Sequence, residues 1–377
     1  MKLALVHDWL NQIGGAEDVL TELVRMFPSA PLYTSIYWRE KMPATWQQWN
    51  IRTLWMDKLP SIYRHHQRYL PLYPLAFGSL DLAEYDLVLS NKSGFCHGVK
   101  TNNRKRGQKA THVCYCLAPT RFLWQYDAYV AREGFGSALK RLIQPVIGQL
   151  KRWDYAAAQR VDHFIAISTE VRARIQHFYH RDSVIIFPPV DTTRFQPIEA
   201  SQVGDYYLIV SRLIPYKRVD LAVEACTRLN LPLIVAGTGR DREMLEKIAG
   251  DTVKFVGYVP DEELPRLMAR CKAFLFPGLE DFGITPVQAQ AAGRPVIAYR
   301  GGGALDTVMD GETGLFFDEP TVESLMDALQ RFETSHLAMK GTPQLTERIR
   351  ANAVRFDQAV FQQELRAYLA GIMGIAM

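Results

Sequence analysis

The feature that most constrains this chain is an alternation of short apolar strands with stretches of helical spacing, which starts again near Asp205. In the first half, an apolar strand at Lys2–His7 is followed by a loop with two glycines and by a helical pattern over 16–26. Further strands are predicted at 86–90, 112–116, 163–168, 206–211, 233–236, 254–256, 273–277 and 295–299. Strands separated by helices are typical of parallel sheets. The sequence therefore predicts an α/β protein with two Rossmann-like, doubly wound domains whose strand ends face a central cleft.

The length of 377 residues is sufficient for two such domains. A short polar stretch, Pro197–Gly204, marks the predicted boundary, so the domains are expected at 1–198 and 199–355. A helical segment at 356–377 follows.

Composition narrows the class of protein. Apolar residues make up 48% of the chain and charged residues 22%, as in soluble globular proteins. No apolar run reaches the length of a membrane span, and His7 and Asp8 interrupt the apolar start. Five cysteines are an odd number and too scattered for a disulfide framework. We therefore expect a cytoplasmic protein.

The charge is distributed unevenly. Residues 1–200 hold 25 Lys and Arg against 17 Asp and Glu, which leaves 19 against 23 for the rest of the chain. A basic first half predicts contact with a polyanion or an anionic surface. Nucleic acid is not the expected partner, because no recognised nucleic-acid-binding module is present.

Two cations follow the first strand of the second domain. Arg212 and Lys217 stand five residues apart where the strand gives way to a helix, and such a pair could clamp a diphosphate. The alternative is a pair of solvated surface cations. Gly237 and Gly239 follow the next strand, where they would let the backbone approach a ligand. After the third strand, the turn at Tyr258 and Val259 could contact a nucleobase.

A loop and a helix start follow the fourth strand of this domain. Thr285, Pro286 and Gln288 match a capping box, with Thr285 as the N-cap. A helix N-terminus behind Gly283 would also favour an anion, and both interpretations can hold together. The next strand is followed by three glycines, 301–303, which suggest close approach of another group.

These segments together resemble the retaining glycosyltransferases of family 4, which have the GT-B architecture. The resemblance is carried by 211–219, by 280–288 and by the glycine-rich loop before Asp306. It extends to 7–10, 14–17 and 114–121 of the first domain, which look like a bacterial mannosyltransferase-like branch acting on surface polysaccharides. It implies an acceptor-binding first domain, a nucleotide-sugar-binding second domain and a C-terminal helix, 356–377, that crosses back to the first domain.

The resemblance also implies roles for single residues. Arg212 and Lys217 would neutralise the donor diphosphate, and Glu280 would hold hydroxyl groups of the sugar, which makes these three the candidate catalytic residues. The remaining donor contacts would come from Gly15, Gly237, Gly239, Tyr258, Val259, Phe282, Gly283, Ile284, Thr285 and Gln288.

Two positions depart from the family pattern. Gln288 stands where relatives carry the glutamate that reaches the ribose, so we expect binding of altered strength. Leu117 replaces a histidine that faces the donor sugar in many relatives, so this chain must position the sugar differently.

The expected chemistry is glycosyl transfer with retention of anomeric configuration, in which fixed cations and backbone dipoles stabilise the leaving diphosphate. The sequence contains no Asp-x-Asp motif, so neither a metal nor another cofactor is expected to be required. The resemblance implies GDP-mannose as donor. Alternatives are a UDP-sugar donor, an epimerase-like relative, or a nucleotide-sugar-binding subunit without activity.

The first domain supplies the candidate acceptor contacts. Asp8 and Gly14 follow the first strand, although Asp8 could equally be a local cap, and Arg121 could meet an acceptor phosphate or pair with a buried carboxylate. The stretch 58–77 mixes cations with aromatic residues and leucines, and Arg104, Lys105, Arg106 and Lys109 add further charge. This mixture favours peripheral contact with an anionic membrane that presents a lipid-diphosphate acceptor. Core packing of the apolar side chains is the alternative.

Overall fold

The computed structural model describes residues 1–103, 107–125, 137–339 and 342–374, without the side chains of residues 137–143. It divides into two compact units, Met1–Phe187 and Pro188–Met377. The division comes before the predicted boundary at residue 198. Backbone hydrogen bonds explain the difference, because the N–H of Val190 donates to the oxygen of Phe356 and the N–H of Gln358 donates to that of Val190. The crossing of the last helix to the first unit stays a prediction.

The first unit contains a seven-stranded parallel sheet with the order β3–β2–β1–β4–β7–β8–β9, beside a small antiparallel pair of β5 and β6. The strands are β1 (Leu3–His7), β2 (Leu32–Thr34), β3 (Ile51–Thr53), β4 (Leu87–Lys92), β5 (Asn102–Asn103), β6 (Gln108–Lys109), β7 (Thr111–Cys116), β8 (His163–Ala166) and β9 (Ser183–Ile185). Its α-helices are α1 (Gly15–Met26), α2 (Ile62–His65), α3 (Tyr73–Ser79), α4 (Arg121–Trp124), α5 (Ser137–Ala158) and α6 (Thr169–Tyr179).

The second unit contains a six-stranded parallel sheet with the order β12–β11–β10–β13–β14–β15. Its strands are β10 (Tyr207–Val210), β11 (Leu233–Ala236), β12 (Val253–Gly257), β13 (Ala273–Phe276), β14 (Val296–Tyr299) and β15 (Gly314–Phe317). Its α-helices are α7 (Val219–Arg228), α8 (Arg242–Ile248), α9 (Leu264–Arg270), α10 (Ile284–Ala291), α11 (Ala304–Thr307), α12 (Val322–Thr334), α13 (Pro343–Val354) and α14 (Gln358–Met373).

Both sheets confirm the predicted α/β class with two doubly wound units. The central strands are buried along their length, since every residue of β1, β4 and β13 is buried. That pattern is typical of parallel strands covered by helices on both faces. Within the described residues, none of the helices combines the length and the apolar character that crossing a membrane requires.

The strand order places a crevice in each unit. In the second unit the order runs outward from β10 in one direction and from β13 in the other, so the loops after these two neighbours diverge. In the first unit the same reversal falls between β1 and β4. Ligands of open α/β sheets bind at such a reversal, outside the carboxyl ends of the strands.

Candidate active site

The candidate site of the second unit is built from the loops after β10, β13 and β14. Lys217 ends a 3-10 turn, Pro215–Lys217, in the first of these loops, and Glu280 lies in the second. Their side chains form an ion pair with 2.5 Å between Nζ and Oε2, and 15% and 20% of the two side chains are exposed. The structure thus brings two of the three predicted catalytic residues into direct contact at the strand-order reversal.

Arg212, the third predicted catalytic residue, is in the same loop as Lys217 but is exposed. Its Nη2 donates to the hydroxyl of Tyr216 over 3.1 Å, and the ring of Tyr216 also lies under the ammonium of Lys217, 5.3 Å from the ring centre. The tyrosine was missing from the predicted site. Its hydroxyl accepts the hydrogen bond from Arg212 and its ring makes a cation–π contact with Lys217, so both cations lie at one end of the loop.

Glycines allow the three loops to touch. A Cβ on Gly278 would lie 2.9 Å from the backbone oxygen of Lys217, and one on Gly302 would lie 2.2 Å from the backbone oxygen of Glu280. The N–H of Gly303 donates to that oxygen over 2.9 Å. The predicted close approach at 301–303 is therefore confirmed, and the approaching group is the backbone of the Glu280 loop.

Gly237 and Gly239 are also needed because other backbone lies close to them. A Cβ on Gly237 would come within 1.8 Å of the oxygen of Ser211, and one on Gly239 within 2.1 Å of that of Leu213. The N–H of Leu213 also donates to the oxygen of Thr238 over 2.9 Å. These two glycines pack the loop after β11 against the loop that carries the cations, so their presence needs no ligand.

The helix after Glu280 begins differently from the prediction. The N-cap of α10 is Gly283, with a φ of 96°, and no side chain among the described residues caps the helix. The predicted capping box was wrong, because Ile284 and Thr285 both lie inside the first turn of the helix and Thr285 is therefore not the N-cap. Phe282 is buried and its ring packs edge-on against Phe356, with 5.6 Å between the ring centres. Phe282 can therefore offer a donor only its backbone.

Gln288 is half-buried one turn further along α10. Its helix is fixed by a buried amide pair that the sequence analysis missed. Nε2 of Gln290 donates to the oxygen of Thr307 over 2.8 Å, and Nδ2 of Asn352 donates to Oε1 of Gln290 over 2.7 Å. Polar residues in an otherwise apolar segment were the available signal.

Tyr258 and Val259 follow the outer strand β12, where Tyr258 is 73% exposed and Val259 is half-buried.

In the first unit, Asp8 follows β1 but is completely buried. Its two carboxylate oxygens accept backbone hydrogen bonds of 2.6–2.8 Å from four consecutive N–H groups of the loop after β4, those of residues 93–96. This geometry supports the alternative that Asp8 is a local cap rather than an acceptor contact. Gly14 is the N-cap of α1 and Gly15 its first residue.

Arg121 is half-buried at the start of α4. The buried carboxylate nearby is Asp154, which accepts hydrogen bonds from the Thr120 hydroxyl, the Trp124 indole and the Tyr179 hydroxyl over 2.7–2.8 Å. These bonds occupy Asp154 and fix the turn that carries Arg121. Leu117, the departure from the family pattern, is buried just before this turn.

The basic and aromatic segment 58–77 divides between core and surface. Tyr73 and Phe77 are buried in the core of the first unit, as the alternative interpretation held. Arg64 and Arg68 are exposed, and Leu75 is 64% exposed. The cluster Arg104, Lys105 and Arg106 lies outside the described residues.

Within the described residues, no group of three or more His, Cys, Asp or Glu side chains is arranged to hold a metal ion.

Parts of the sequence are similar to known mannosyltransferases. The chain is 34% identical over 170 residues to the GDP-mannose-dependent alpha-(1-6)-phosphatidylinositol monomannoside mannosyltransferase of Mycolicibacterium smegmatis, a match that covers 38% of this chain and 44% of that protein. It is 25% identical over 345 residues to the human alpha-1,3/1,6-mannosyltransferase ALG2, covering 81% and 78%. The first of these matches thus spans less than half of the relative's length.

Solved structures show the same fold. Anabaena HepE in complex with UDP superposes with a TM-score of 0.74 at 19% identity, over 98% of this chain and 100% of that chain. Sucrose-phosphate synthase from Thermosynechococcus elongatus gives 0.75 at 16% identity, over 99% and 100%. At these identities the likeness establishes the fold.

Two Rossmann-like, doubly wound units are the GT-B architecture. Residues 191–355 match the family described as glycosyl transferases group 1. The match covers most of the second unit and less than half of the chain.

Proposed function

We propose that this protein is a retaining mannosyltransferase that moves mannose from GDP-mannose to a lipid-linked or surface polysaccharide acceptor. The observation that carries the proposal is the Lys217–Glu280 ion pair at the strand-order reversal of a group 1 glycosyltransferase unit. Relatives that are 34–35% identical over 170 residues are named as GDP-mannose-dependent, which favours this donor.

In the proposed reaction, the bond between the anomeric carbon and the diphosphate oxygen breaks, and the diphosphate leaves with the electron pair. Lys217 and Arg212 stabilise the charge that develops on it, together with the free N–H groups at the start of α10. An acceptor hydroxyl forms the new bond on the same face of the sugar and gives its proton to a phosphate oxygen. The anomeric configuration is therefore retained without a protein nucleophile.

Glu280 has a second role in this scheme. Its carboxylate accepts hydrogen bonds from sugar hydroxyls, and its pairing with Lys217 holds both groups in place before the donor arrives. The donor diphosphate then competes with Glu280 for the ammonium, which frees the carboxylate for the sugar. Gln288 contacts the ribose as an amide. Neither metal nor another cofactor takes part in the proposed mechanism.

The test is nucleotide release from a panel of GDP- and UDP-sugars, with EDTA or with added divalent metal, and with Lys217→Ala as control. Release of GDP from GDP-mannose, dependent on Lys217 and insensitive to EDTA, is expected. Release of UDP from a UDP-sugar would show that the donor is that sugar nucleotide and not GDP-mannose. A UDP-sugar is the second candidate because HepE forms a complex with UDP. Donor binding without turnover on any acceptor would indicate a non-catalytic subunit.

We also propose that the first unit contacts an anionic membrane peripherally. The supporting observation is the exposed set Arg64, Arg68 and Leu75, because cations near an anionic leaflet contribute about 1 kcal/mol each. Neutralising Arg64 and Arg68 should weaken binding to phosphatidylglycerol vesicles by up to about thirtyfold and leave binding to the nucleotide unchanged. Equal vesicle binding by the variant would contradict the proposal.

A further inference from the structure

The residue after Lys217 has a backbone conformation that is unfavourable for its type. Arg218 has a φ of 51° and a ψ of 37°. These angles lie in the left-handed region, which glycine adopts freely and other residues adopt at a cost in free energy. Glycine would therefore fit this backbone better, so we looked for what the arginine side chain contributes.

The conformation of Arg218 determines where the chain turns after Lys217. Arg218 follows the 3-10 turn that ends with Lys217, and it is also the N-cap of α7. Its N–H donates to the oxygen of Pro215 over 3.2 Å, and its own oxygen accepts from the N–H of Leu221 over 3.2 Å. A change in its backbone angles would therefore rotate Lys217 relative to α7.

The side chain of Arg218 binds two other parts of the second unit. Its Nε and Nη2 donate to the carboxylate of Asp220, in the first turn of α7, over 3.0–3.2 Å. Its Nη1 donates to the backbone oxygen of Pro320 over 3.2 Å. Pro320 follows β15 and directly precedes Thr321, the N-cap of α12. The hydrogen bonds to Asp220 and Pro320, here called the tether, thus join the loop after β10 to the loop after β15.

The tether is better suited to orientation than to stability. The side chains of Arg218 and Asp220 are 34% and 36% exposed, and ion pairs that water reaches so well add little to the free energy of unfolding. A planar guanidinium bonded to a carboxylate and a carbonyl nevertheless has a restricted geometry. That restriction passes directly to the backbone beside Lys217.

Lys217 has little room to move without losing its partner. A Cβ on Gly278 would lie 3.0 Å from the Cα of Lys217, so the loop after β13 packs against this backbone. The ammonium reaches Oε2 of Glu280 at 2.5 Å. A small rotation of the turn at Arg218 would therefore separate the two charged groups.

We propose that Arg218 is a positioning residue of the donor site. Its tether holds the left-handed turn that directs Lys217 toward Glu280 and, once the donor is bound, toward the diphosphate. The inference rests on the proposed function only for the diphosphate, because the pairing with Glu280 needs no donor.

The first experiment measures the pairing of Lys217 with Glu280 without a ligand. Lys217→Met, Glu280→Gln and the double variant form a double-mutant cycle, and the non-additive change in the free energy of unfolding is the coupling of the two side chains. Arg218→Gly permits the left-handed backbone and removes the tether. In that background the coupling should fall to less than half of its value in the parent. An undiminished coupling, or a parent without coupling, would overturn the proposal.

Arg228→Ala is the matched control for this cycle. Arg228 lies at the end of α7, is also exposed, and pairs with Glu224 and Glu323. Its removal therefore costs a comparable set of surface ion pairs far along the helix from Lys217. The coupling should keep its parent value in this background, and an equal loss in both backgrounds would count against a specific role of Arg218.

The second experiment measures GDP binding by calorimetry and separates the tether from a direct effect of charge. Arg218→Gly removes a positive charge and Asp220→Asn a negative one, so a purely electrostatic effect on a bound diphosphate would change the dissociation constant in opposite directions. Loss of the tether should instead raise it in both variants, about three- to tenfold, because the ammonium of Lys217 is then held near neither Glu280 nor the diphosphate.

The increase should disappear in a Lys217→Ala background, since Arg218 acts through that lysine. Opposite changes in Arg218→Gly and Asp220→Asn, or an undiminished increase without Lys217, would overturn the proposal. Should the parent bind neither GDP nor UDP, the proposed function fails, and the coupling of Lys217 with Glu280 still decides the role of Arg218.

Discussion

Lys217 and Glu280, from the loops after two neighbouring strands, are each other's counter-ion, with 2.5 Å between Nζ and Oε2. Both side chains are largely buried, so the attraction is stronger than between two solvated ions. The pair therefore joins the two halves of the second sheet at its strand-order reversal. It also means that a diphosphate and a carboxylate compete for the same ammonium group.

This competition predicts opposite effects of two substitutions on nucleotide binding. Lys217→Ala should weaken the binding of GDP and lower turnover about 10²- to 10³-fold, as for other preorganised charge-stabilising groups. Glu280→Gln should also lower turnover but bind GDP more tightly, because the amide no longer competes for Lys217. Calorimetric titration with GDP and steady-state transfer rates measure both effects. Lys247→Ala, an exposed lysine on α8, is the control. Equal weakening of GDP binding by both variants would contradict the competition.

A second prediction concerns Gly302. Its φ of 60° is unfavourable for other residues, and a Cβ there would lie 2.2 Å from the backbone oxygen of Glu280. Gly302→Ala should therefore lower the free energy of unfolding by about 1–3 kcal/mol and raise the KM for the donor, because the Glu280 loop must move. Thermal unfolding and donor kinetics measure the two effects.

Gly371→Ala in α14 is the matched control, since none of the described residues lies within 4 Å of the position that the added methyl group would occupy. Alanine is the better helix former, so this variant should be as stable as the parent or more so, by up to about 1 kcal/mol. If Gly302→Ala behaved like Gly371→Ala, the contact between the two loops would not be required.

Nine strands were predicted from the sequence pattern. β13 and β14 each consist of four consecutive apolar residues, and the prediction found both. β2 and β3 have three residues each and were missed, because so short a segment has no measurable periodicity. Pairing with β1 makes β2 a strand, and that contact is not encoded locally. The order of the strands in each sheet could not be predicted from the sequence pattern either.

At the site, the sequence predicted which residues matter better than it predicted their contacts. Lys217 and Glu280 were identified as site residues, but their pairing needs two loops whose proximity depends on the sheet. The cap at Gly283 was missed because a positive φ of 96° is imposed by packing, and Thr285 offered a chemically reasonable alternative. Gly237 was identified, yet its reason, contact with Ser211, is visible only in three dimensions.

A third prediction tests the role of Asp8. Asp8→Asn replaces one carboxylate oxygen with an NH₂ group, which would face N–H donors of residues 93–96. The variant should lose about 2–5 kcal/mol of unfolding free energy, because buried N–H groups lose their acceptor. Its KM for the acceptor, measured well below the melting temperature, should be unchanged. A normal melting temperature with a raised acceptor KM would instead restore Asp8 as an acceptor contact.

A fourth prediction concerns acid stability and rests on His112 in β7. Its ring is fully buried, with 2.9 Å between Nε2 and the hydroxyl oxygen of Ser90, and burial lowers its pKa from 6.5 to about 4. Between these values the unfolded chain binds a proton at His112 that the folded chain does not. The contribution of His112 to stability should therefore fall from pH 6.5 to pH 4 by up to about 1.4 kcal/mol per pH unit and stay constant above that window. His112→Gln should make the pH dependence shallower, whatever its effect at pH 7.5. His180→Gln, at an exposed position, should leave it unchanged. Urea unfolding from pH 7.5 to pH 5 measures the slopes, and identical slopes for the parent and His112→Gln would show that another group controls the acid response.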